Sequence, residues 1–275
     1  MEVDLFDEIQ RLRQTGRKAA LATIVQIRGS VPSFQTAKML IRDDGSTLGS
    51  IGGGCVEAEV WAAAQEVLKE EKSRMMTFDL TADSMAESGL ICGGKLDIFI
   101  EPVLPTPRMV IFGAGHISTQ LSRIATIAGF KTTIVDNRPQ YANAERFPEA
   151  EAIYSERFED AFEALSPNDN TYLVIVTRGH QEDETVLRWA VRTDARYIGM
   201  IGSKRKVRTI FQTLENEGVG RERLDQVCAP VGLDIGAVLP EEIAVAIVAE
   251  AIHCRRAGFK HPHSKKLRQT VDVRA

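Results

Sequence analysis

Between an apolar run, Met109 to Phe112, and a helical stretch reaching to about Ala128, the chain reads Gly113-Ala114-Gly115-His116-Ile117-Ser118. A second run, Lys131 to Val135, follows and ends on Asp136. Strand, glycine turn, helix, strand and acid in that order constrain the fold more than any other feature of the sequence. Gly113 allows a tight turn, and Gly115 lets a backbone approach a pyrophosphate. The helix behind them offers unpaired N–H groups and partial positive charge. Asp136 stands where a carboxylate accepts ribose hydroxyls and disfavours a 2′-phosphate. The third glycine position is held by Ser118, which loosens close helix–strand packing and counts against tight nicotinamide binding.

Tyr172 to Val176 and Arg196 to Ile201 are further apolar runs, each followed by a polar loop and a helical stretch, and Val227 to Ala229 reads as a last short strand. Runs of this kind are what strands buried on both faces of a parallel sheet look like. Residues 105–262 are therefore expected to form a Rossmann-like, doubly wound α/β domain, with 263–275 as a polar tail. Asp136-Asn137-Arg138, Thr177-Arg178-Gly179-His180, Gly202-Ser203-Lys204-Arg205-Lys206 and Gly232-Leu233-Asp234 all fall at the C-terminal ends of these strands. Open α/β sheets bind their ligands at that edge. Ser203 can cap a helix whose first turn holds three cations, unfavourable to the helix dipole unless an anion sits there. A phosphate fits, and so does a solvated basic surface at Arg205 and Lys206. His116 and His180 read as ligand contacts, as proton carriers, or as polar loop residues.

Three prolines between Glu101 and Pro107 stiffen the chain, and the domain boundary is placed there. Residues 1–104 read as a smaller α+β unit. Met1 to Gln14 is an amphipathic helix, and Ala19 to Ile27 and Lys38 to Arg42 are strands. A hairpin-like turn at Asp43 to Ser46 leads to the glycine run Gly49 to Gly54. A helix from about Cys55 to Lys72 and strands Met75 to Leu80 and Leu96 to Val103 complete the unit. Gly52-Gly53-Gly54-Cys55 puts a thiol at a helix N-terminus, a setting that favours thiolate. Cys92 lies beside Gly93 and Gly94 in a loop whose missing side chains admit a large ligand. Both are candidate sulfur-handling or soft-metal positions, weighed against ordinary buried cysteines. Glu57 is read as an acid or base, or as a stabiliser of the helix start. Packing is the reading for Cys228 and Cys254, and the lack of a CxxC pair argues against structural zinc. His253, His261 and His263 near the end are read as part of a mobile tail, weighed against metal binding. Neither a G-x-S-x-G elbow nor a P-loop lysine is present.

With 38 acidic and 34 basic residues the formal charge is −4, so no basic field supports nucleic-acid binding. The N-terminal helix lacks the form of a signal peptide, no stretch reaches the length of a membrane span, and four cysteines do not make a disulfide framework. A cytoplasmic protein is expected, with a homodimer as the commonest assembly.

Gly29-Ser30-Val31-Pro32, Ala37-Lys38-Met39, Gly49 to Glu57 and Cys92-Gly93-Gly94, followed by Gly113 to His116, Gly232 to Gly236 and Pro240 to Ile243, resemble the XdhC/CoxI family in content and order across nearly the whole chain. That family comprises accessory proteins of xanthine dehydrogenase and related molybdenum hydroxylases. The resemblance implies binding of molybdenum cofactor, in its molybdopterin form. It also implies protection of that group while a partner cysteine desulfurase installs the terminal sulfido ligand, and delivery to the apo-hydroxylase. Cys55 and Cys92 then become the leading contacts to cofactor, sulfur or molybdenum, with Gly53, Gly54, Glu57 and Gly93 around them. Gly113, Gly115, His116, Asp136, Arg138, His180, Ser203 and Lys204 would hold the phosphate end or a nucleotide such as NAD. The alternatives are an NAD-dependent oxidoreductase, using His116 or His180 as proton donor, and a non-catalytic nucleotide-binding scaffold.

Overall fold

A computed structural model describes residues 3–31, 33–80 and 94–256. The chain divides into two compact units, with the division between Pro105 and Thr106.

The first unit opens with α1 (Leu5–Gln14), whose N-terminal amides at Phe6 and Asp7 are capped by the Asp4 side chain. It continues through β1 (Ala19–Arg28), β2 (Lys38–Arg42), β3 (Thr47–Gly49), α2 (Gly54–Glu70), β4 (Arg74–Asp79) and β5 (Lys95–Val103). The five strands form one antiparallel sheet in the order β3-β2-β1-β5-β4. Alternation along β1 decides which helix covers which face. Ala20, Ala22 and Ile24 meet Val56, Val60, Ala64 and Val67 of α2, whereas Ala19 and Leu21 meet Leu12 of α1, with Leu5 and Ile9 beside it. At the end of β4 the Leu80 amide donates to the Gly94 carbonyl at 2.8 Å. A Cβ on Gly94 would lie 2.6 to 2.8 Å from Val31 and the carbonyls of Arg28 and Ser30, so only glycine lets this backbone close on the Gly29-Ser30-Val31 turn. Cys92 and Gly93 lie outside the described residues.

The second unit runs β6 (Arg108–Phe112), α3 (His116–Ile127), β7 (Lys131–Val135), β8 (Ala152–Tyr154), α4 (Phe158–Leu165), β9 (Thr171–Ile175), α5 (His180–Ala190), β10 (Tyr197–Met200), α6 (Lys204–Asn216), α7 (Arg221–Leu224) and α8 (Pro240–Arg256). Its five strands are parallel in the order β10-β9-β6-β7-β8. Chain order reverses between β6 and β9, which makes their C-terminal ends the switch point of a doubly wound sheet. Met109 and Ile111 of β6 face Leu121 and Ala125 of α3 and Ala244, Ile247 and Ala251 of α8. Val110 and Phe112 face the opposite layer, built by Phe158 of α4, Val186 and Leu187 of α5 and Ile210 of α6. Each fully buried side chain of this kind is worth about 1.5–3 kcal/mol, which is why the central strands are apolar without interruption.

The expected strand at Val227 to Ala229 shrinks to a single parallel bridge between Cys228 and Gly199. Pro230 follows at once and has no N–H to continue a ladder. No helix among the described residues is long and apolar enough to cross a membrane.

Candidate functional site

The glycine turn of the second unit is fixed from three sides. The Gly113 amide donates to Val135 O at 2.8 Å, the Ala114 amide to Asp136 Oδ2 at 2.7 Å, and Arg146 Nη1 donates to Ala114 O at 3.0 Å. Gly113 has φ +105°, and a Cβ there would lie 2.5 Å from Val176 O, so the fold itself demands this glycine. Gly115 is different. It is the N-cap of α3 with ordinary φ −78°, and a Cβ there would meet nothing within 4 Å. The space it leaves belongs to a cavity of about 460 Å³, lined also by His116, Ser118, Arg138, Thr177 and Arg178.

Three properties make that cavity suited to an anion. No side chain caps α3 and no acid lies in its first turn, so its amides are unclaimed by the helix's own residues. Arg178 brings positive charge to its walls. Ser118, fully buried in the first turn of α3, has an Oγ with no hydrogen-bond partner among the described residues. A buried hydroxyl normally finds one, so an orphan on a ligand-sized cavity marks a bond left for something else. The residue that spoils the glycine pattern is thus the one that supplies a donor.

Asp136, expected to accept ribose hydroxyls, is engaged within the chain. Its side chain is 2% exposed, and Oδ1 accepts from the Arg138 amide at 3.0 Å and Arg138 Nε at 2.8 Å. Oδ2 accepts from Ala114 N and Arg138 Nη2, each at 2.7 Å. Burial pushes this carboxyl up, but the Arg138 fork and the Ala114 amide outweigh it and hold it below the usual carboxylate range. Arg138 is kept in place by the Tyr141 ring, 4.3 Å from its guanidinium carbon. Asp136 and Arg138 together brace the turn.

The remaining candidates of this unit separate. His180 starts α5 half-exposed, with Nε2 3.7 Å from Glu184 on its own helix. Ser203 caps α6 by accepting from the Lys206 amide at 3.2 Å. The basic first turn expected to await a phosphate, or to be solvated surface, is partly spent internally. Lys206 Nζ is ion-paired with the buried Asp183 carboxylate, which also accepts from Thr177 Oγ1. Lys204 lines another place, a cavity of about 350 Å³ under the Gly232–Ala237 loop. That loop is stitched to the sheet and to α8: Val231 N donates to Met200 O at 3.0 Å, Leu233 N to Ala246 O at 3.2 Å, and Gly232 N to Glu250 Oε2 at 2.8 Å. The same oxygen of the fully buried Glu250 accepts from Tyr197 OH at 2.6 Å, and burial beside this carboxylate pushes the Tyr197 phenol well up.

In the first unit Gly52, Gly53 and Gly54 have φ between +67° and +119°, a left-handed run that side chains would strain. The turn brings backbone amides onto one oxygen of Glu57. Oε1 accepts from Ser50 Oγ at 2.6 Å, Ile51 N at 2.9 Å and Gly53 N at 3.0 Å. Burial raises this carboxyl, and these bonds more than offset it, so it stays below its ordinary range. Of the two readings of Glu57, the geometry matches the stabiliser of the helix start. Cys55 lies exposed one residue into α2, while Cys228 and Cys254 are buried, and burial pushes the Cys254 thiol up to about 11. Among the described residues no group of three His, Cys, Asp or Glu side chains could hold a metal ion.

Sequence reasoning missed Tyr141 and Pro240 as cavity walls. Ser118 was read as the end of the ligand-holding turn and as a departure from the glycine pattern, and its unpartnered hydroxyl was not foreseen. Arg178 was visible as a charge at a strand end, and nothing marked Tyr141.

Fold and site together define a two-unit α/β protein with an anion-suited Rossmann turn in one unit and an exposed glycine-loop thiol in the other. The chain belongs to the XdhC and CoxI family: the XdhC Rossmann domain matches residues 109–251 and the XdhC and CoxI family proper matches 12–79. It is 33% identical to the uncharacterized protein YqeB of Escherichia coli K12 over 92% of this chain, and spans only 46% of that protein's length. It is 24% identical to a probable xanthine dehydrogenase subunit of Bacillus subtilis, covering 90% of this chain and 96% of the relative. A further 24% identity links it to the molybdenum cofactor insertion chaperone PaoD of Escherichia coli, over 88% of this chain and 85% of the relative. Among solved structures, a crystal structure of a xanthine dehydrogenase from Bacillus halodurans matches with a TM-score of 0.52 at 25% identity, over 94% of this chain and 98% of the other.

Proposed function

We propose that this chain is an accessory protein of xanthine dehydrogenase-type molybdenum hydroxylases, one that takes molybdenum cofactor as cargo, holds it during sulfuration by a cysteine desulfurase, and hands it to the apo-enzyme. Family membership and the role that PaoD's name carries support the reading. The observation that carries it to particular residues is the pairing of Gly115, whose missing side chain nothing in the fold requires, with the buried orphan hydroxyl of Ser118. A pterin cofactor offers a phosphate to such a turn and a soft dithiolene–metal end to thiols.

In this reading the α3 amides, Ser118 and Arg178 bind the phosphate, and His116 donates from the mouth of the cavity. Cys55 and Cys92 are the sulfur-handling residues of the first unit, with Gly53, Gly54 and Gly93 beside them in sequence and Glu57 bracing the turn. The cargo, when bound, carries the metal that the hydroxylase uses. This chain's residues bind it, orient it and release it, so no turnover is assigned to them. A cytoplasmic homodimer working beside hydroxylase and desulfurase completes the proposal.

The test is to purify the protein from cells that make the cofactor and to assay molybdenum and pterin. Wild type is expected to carry both, Gly115→Ala neither, and Cys55→Ala or Cys92→Ala to retain pterin with less molybdenum. If neither metal nor pterin accompanies the wild type and NAD binds tightly, the oxidoreductase reading replaces this one.

A further inference from the structure

From Ile243 to Ile252, Glu250 apart, every residue of α8 is apolar, which is the pattern of a helix buried on all sides. One side is indeed buried: Ala244, Ile247, Val248 and Ala251 pack into the core of the second unit. The other side carries Glu241, Val245, Ala249, Ile252 and Arg256, aligned on one face by their helical spacing. Val245 is 47% exposed, Glu241 and Arg256 are exposed, and Ala249 and Ile252 are half-buried. Apolar surface continues at both ends of this layer. Just before α8, Val238 is 78% exposed with Ile235 and Leu239 exposed beside it in sequence, and Ile127 at the end of α3 is 86% exposed. The two helices run side by side in one direction. His116 and Pro240 at their starts border one cavity, and the Arg255 guanidinium near the end of α8 lies 5.0 Å from the ring of Phe130, just past the end of α3. Single exposed apolar residues need no account, whereas a face and its flanks gathered on one layer mark an interaction surface.

The face reads the same from either end with its charge reversed. Glu241 begins it and Arg256 ends it, Val245 and Ile252 stand one turn inside, and Ala249 holds the middle. Neither Glu241 nor Arg256 has an ion-pair partner among the described residues. Laid antiparallel on a copy of itself, the face sets each glutamate opposite the other copy's arginine and each valine opposite its isoleucine. Alanine meets alanine at the centre, where the helix axes can close to about 8 Å. A surface that matches its own image under a two-fold axis is what an isologous dimer requires. From Lys260 to Arg268 the sequence is dominated by Lys, His and Arg, a poor cover for an apolar stripe. We propose that this face of α8 is the interface between two copies of the chain, antiparallel about a two-fold axis near Ala249, with Glu241 of each copy paired to Arg256 of the other. The start of the α3–α8 layer in one copy then meets its end in the other, which brings Val238 and Leu239 towards Ile127 and takes them out of water. Pro240, next to Glu241, borders the α3-turn cavity, so the interface reaches the edge of that site. The inference rests on the homodimer of the reading above and adds its surface, and it does not depend on the cargo.

The experiment is sedimentation velocity of the full chain without cargo, from about 1 to about 100 μM. Wild type is expected to sediment as a dimer of 30.4-kDa chains. Val245→Glu buries an unpaired charge in the interface and should weaken association at least about a hundredfold. Its melting by circular dichroism should barely move under conditions where both proteins are monomeric, since the position is exposed in the single chain. Glu241→Arg and Arg256→Glu each set like charges opposite one another and should weaken the dimer about tenfold. The double variant restores opposite charges and should return to wild-type affinity, a rescue that only the antiparallel pairing gives. A wild type monomeric over the whole range would overturn the proposal together with the homodimer. A dimer that Val245→Glu leaves intact, or a double variant no tighter than the single ones, would overturn this surface and leave the homodimer standing. A monomer that binds the apo-hydroxylase and loses it with Val245→Glu would overturn the proposal as well and give the face to that client. If Val245→Glu does not fold, the charge swap at two exposed positions still decides. Co-purification of molybdenum and pterin is read separately, so the carrier role is judged apart from this interface.

Discussion

Two glycines two positions apart answer to different demands. Gly113 is glycine because the chain turns through φ +105° against the Val176 carbonyl, and Gly115 is glycine with open space in front of it. Gly113→Ala is expected to cost about 3 kcal/mol in urea unfolding, through backbone strain and a forced shift. Gly115→Ala, the exchange of one N-cap residue for a poorer one, should cost no more than about 1 kcal/mol. The separation of stability from ligand retention between these two variants is measurable in one set of melts and one set of binding assays. Sequence alone could not divide their roles, since both letters belong to the same fingerprint. Ser118 shows the opposite failure. Its meaning depends on being buried without a partner, which is a property of packing and not of pattern.

Among the elements, those with a strong apolar signal were legible. β6, β7 and β9 follow from runs buried on both faces, and α2 from the spacing of Val56, Val60, Ala63, Ala64 and Val67. β3 and β8, three residues each, leave too little periodicity to read, and the four-residue α7 leaves none. Polar ties between elements were also invisible. Glu8 of α1 is buried and accepts from Arg11 on its own helix and from Arg42 Nε of β2, both at 2.7 Å. The Arg11 and Arg42 guanidinium groups hold its carboxyl at about 2, below its ordinary 4.5. A depressed carboxyl stabilises the fold above its unfolded value and loses that contribution as pH falls through the folded one. The first unit is thus expected to weaken between about pH 4.5 and about pH 2, and Glu8→Gln, less stable at pH 7, should show a flatter dependence over that window in acid titrations followed by circular dichroism. Glu250 plays the matching part in the second unit. Glu250→Ala strands Tyr197 OH and Gly232 N inside the core, and a loss of roughly 2–4 kcal/mol is expected in chemical denaturation.

At the scale of the molecule, each unit closes cores of its own, and the chain's two tryptophans are divided between them. Trp61 on α2 donates to Gly45 O at 2.9 Å beside the β2–β3 turn, and Trp189 on α5 stacks on Phe162 at 4.3 Å. Single-tryptophan variants therefore report the units separately. Glu250→Ala is expected to move the Trp189 transition in guanidinium while the Trp61 midpoint stays in place; a common shift of both would mean that the units unfold as one cooperative block. The division into two units could be anticipated from the proline-rich stretch before Thr106 and the change of pattern beyond it, whereas the splitting of the expected binding residues between two cavities needed the path of the Gly232 loop. The strut formed by Arg138 and Asp136 also bears on how related chains are scanned. An acid closing the second strand of such a sheet is commonly scored as a vote for adenosine. When an arginine stands two places later and an aromatic residue soon after, that vote should be withheld until the arginine's partner is known.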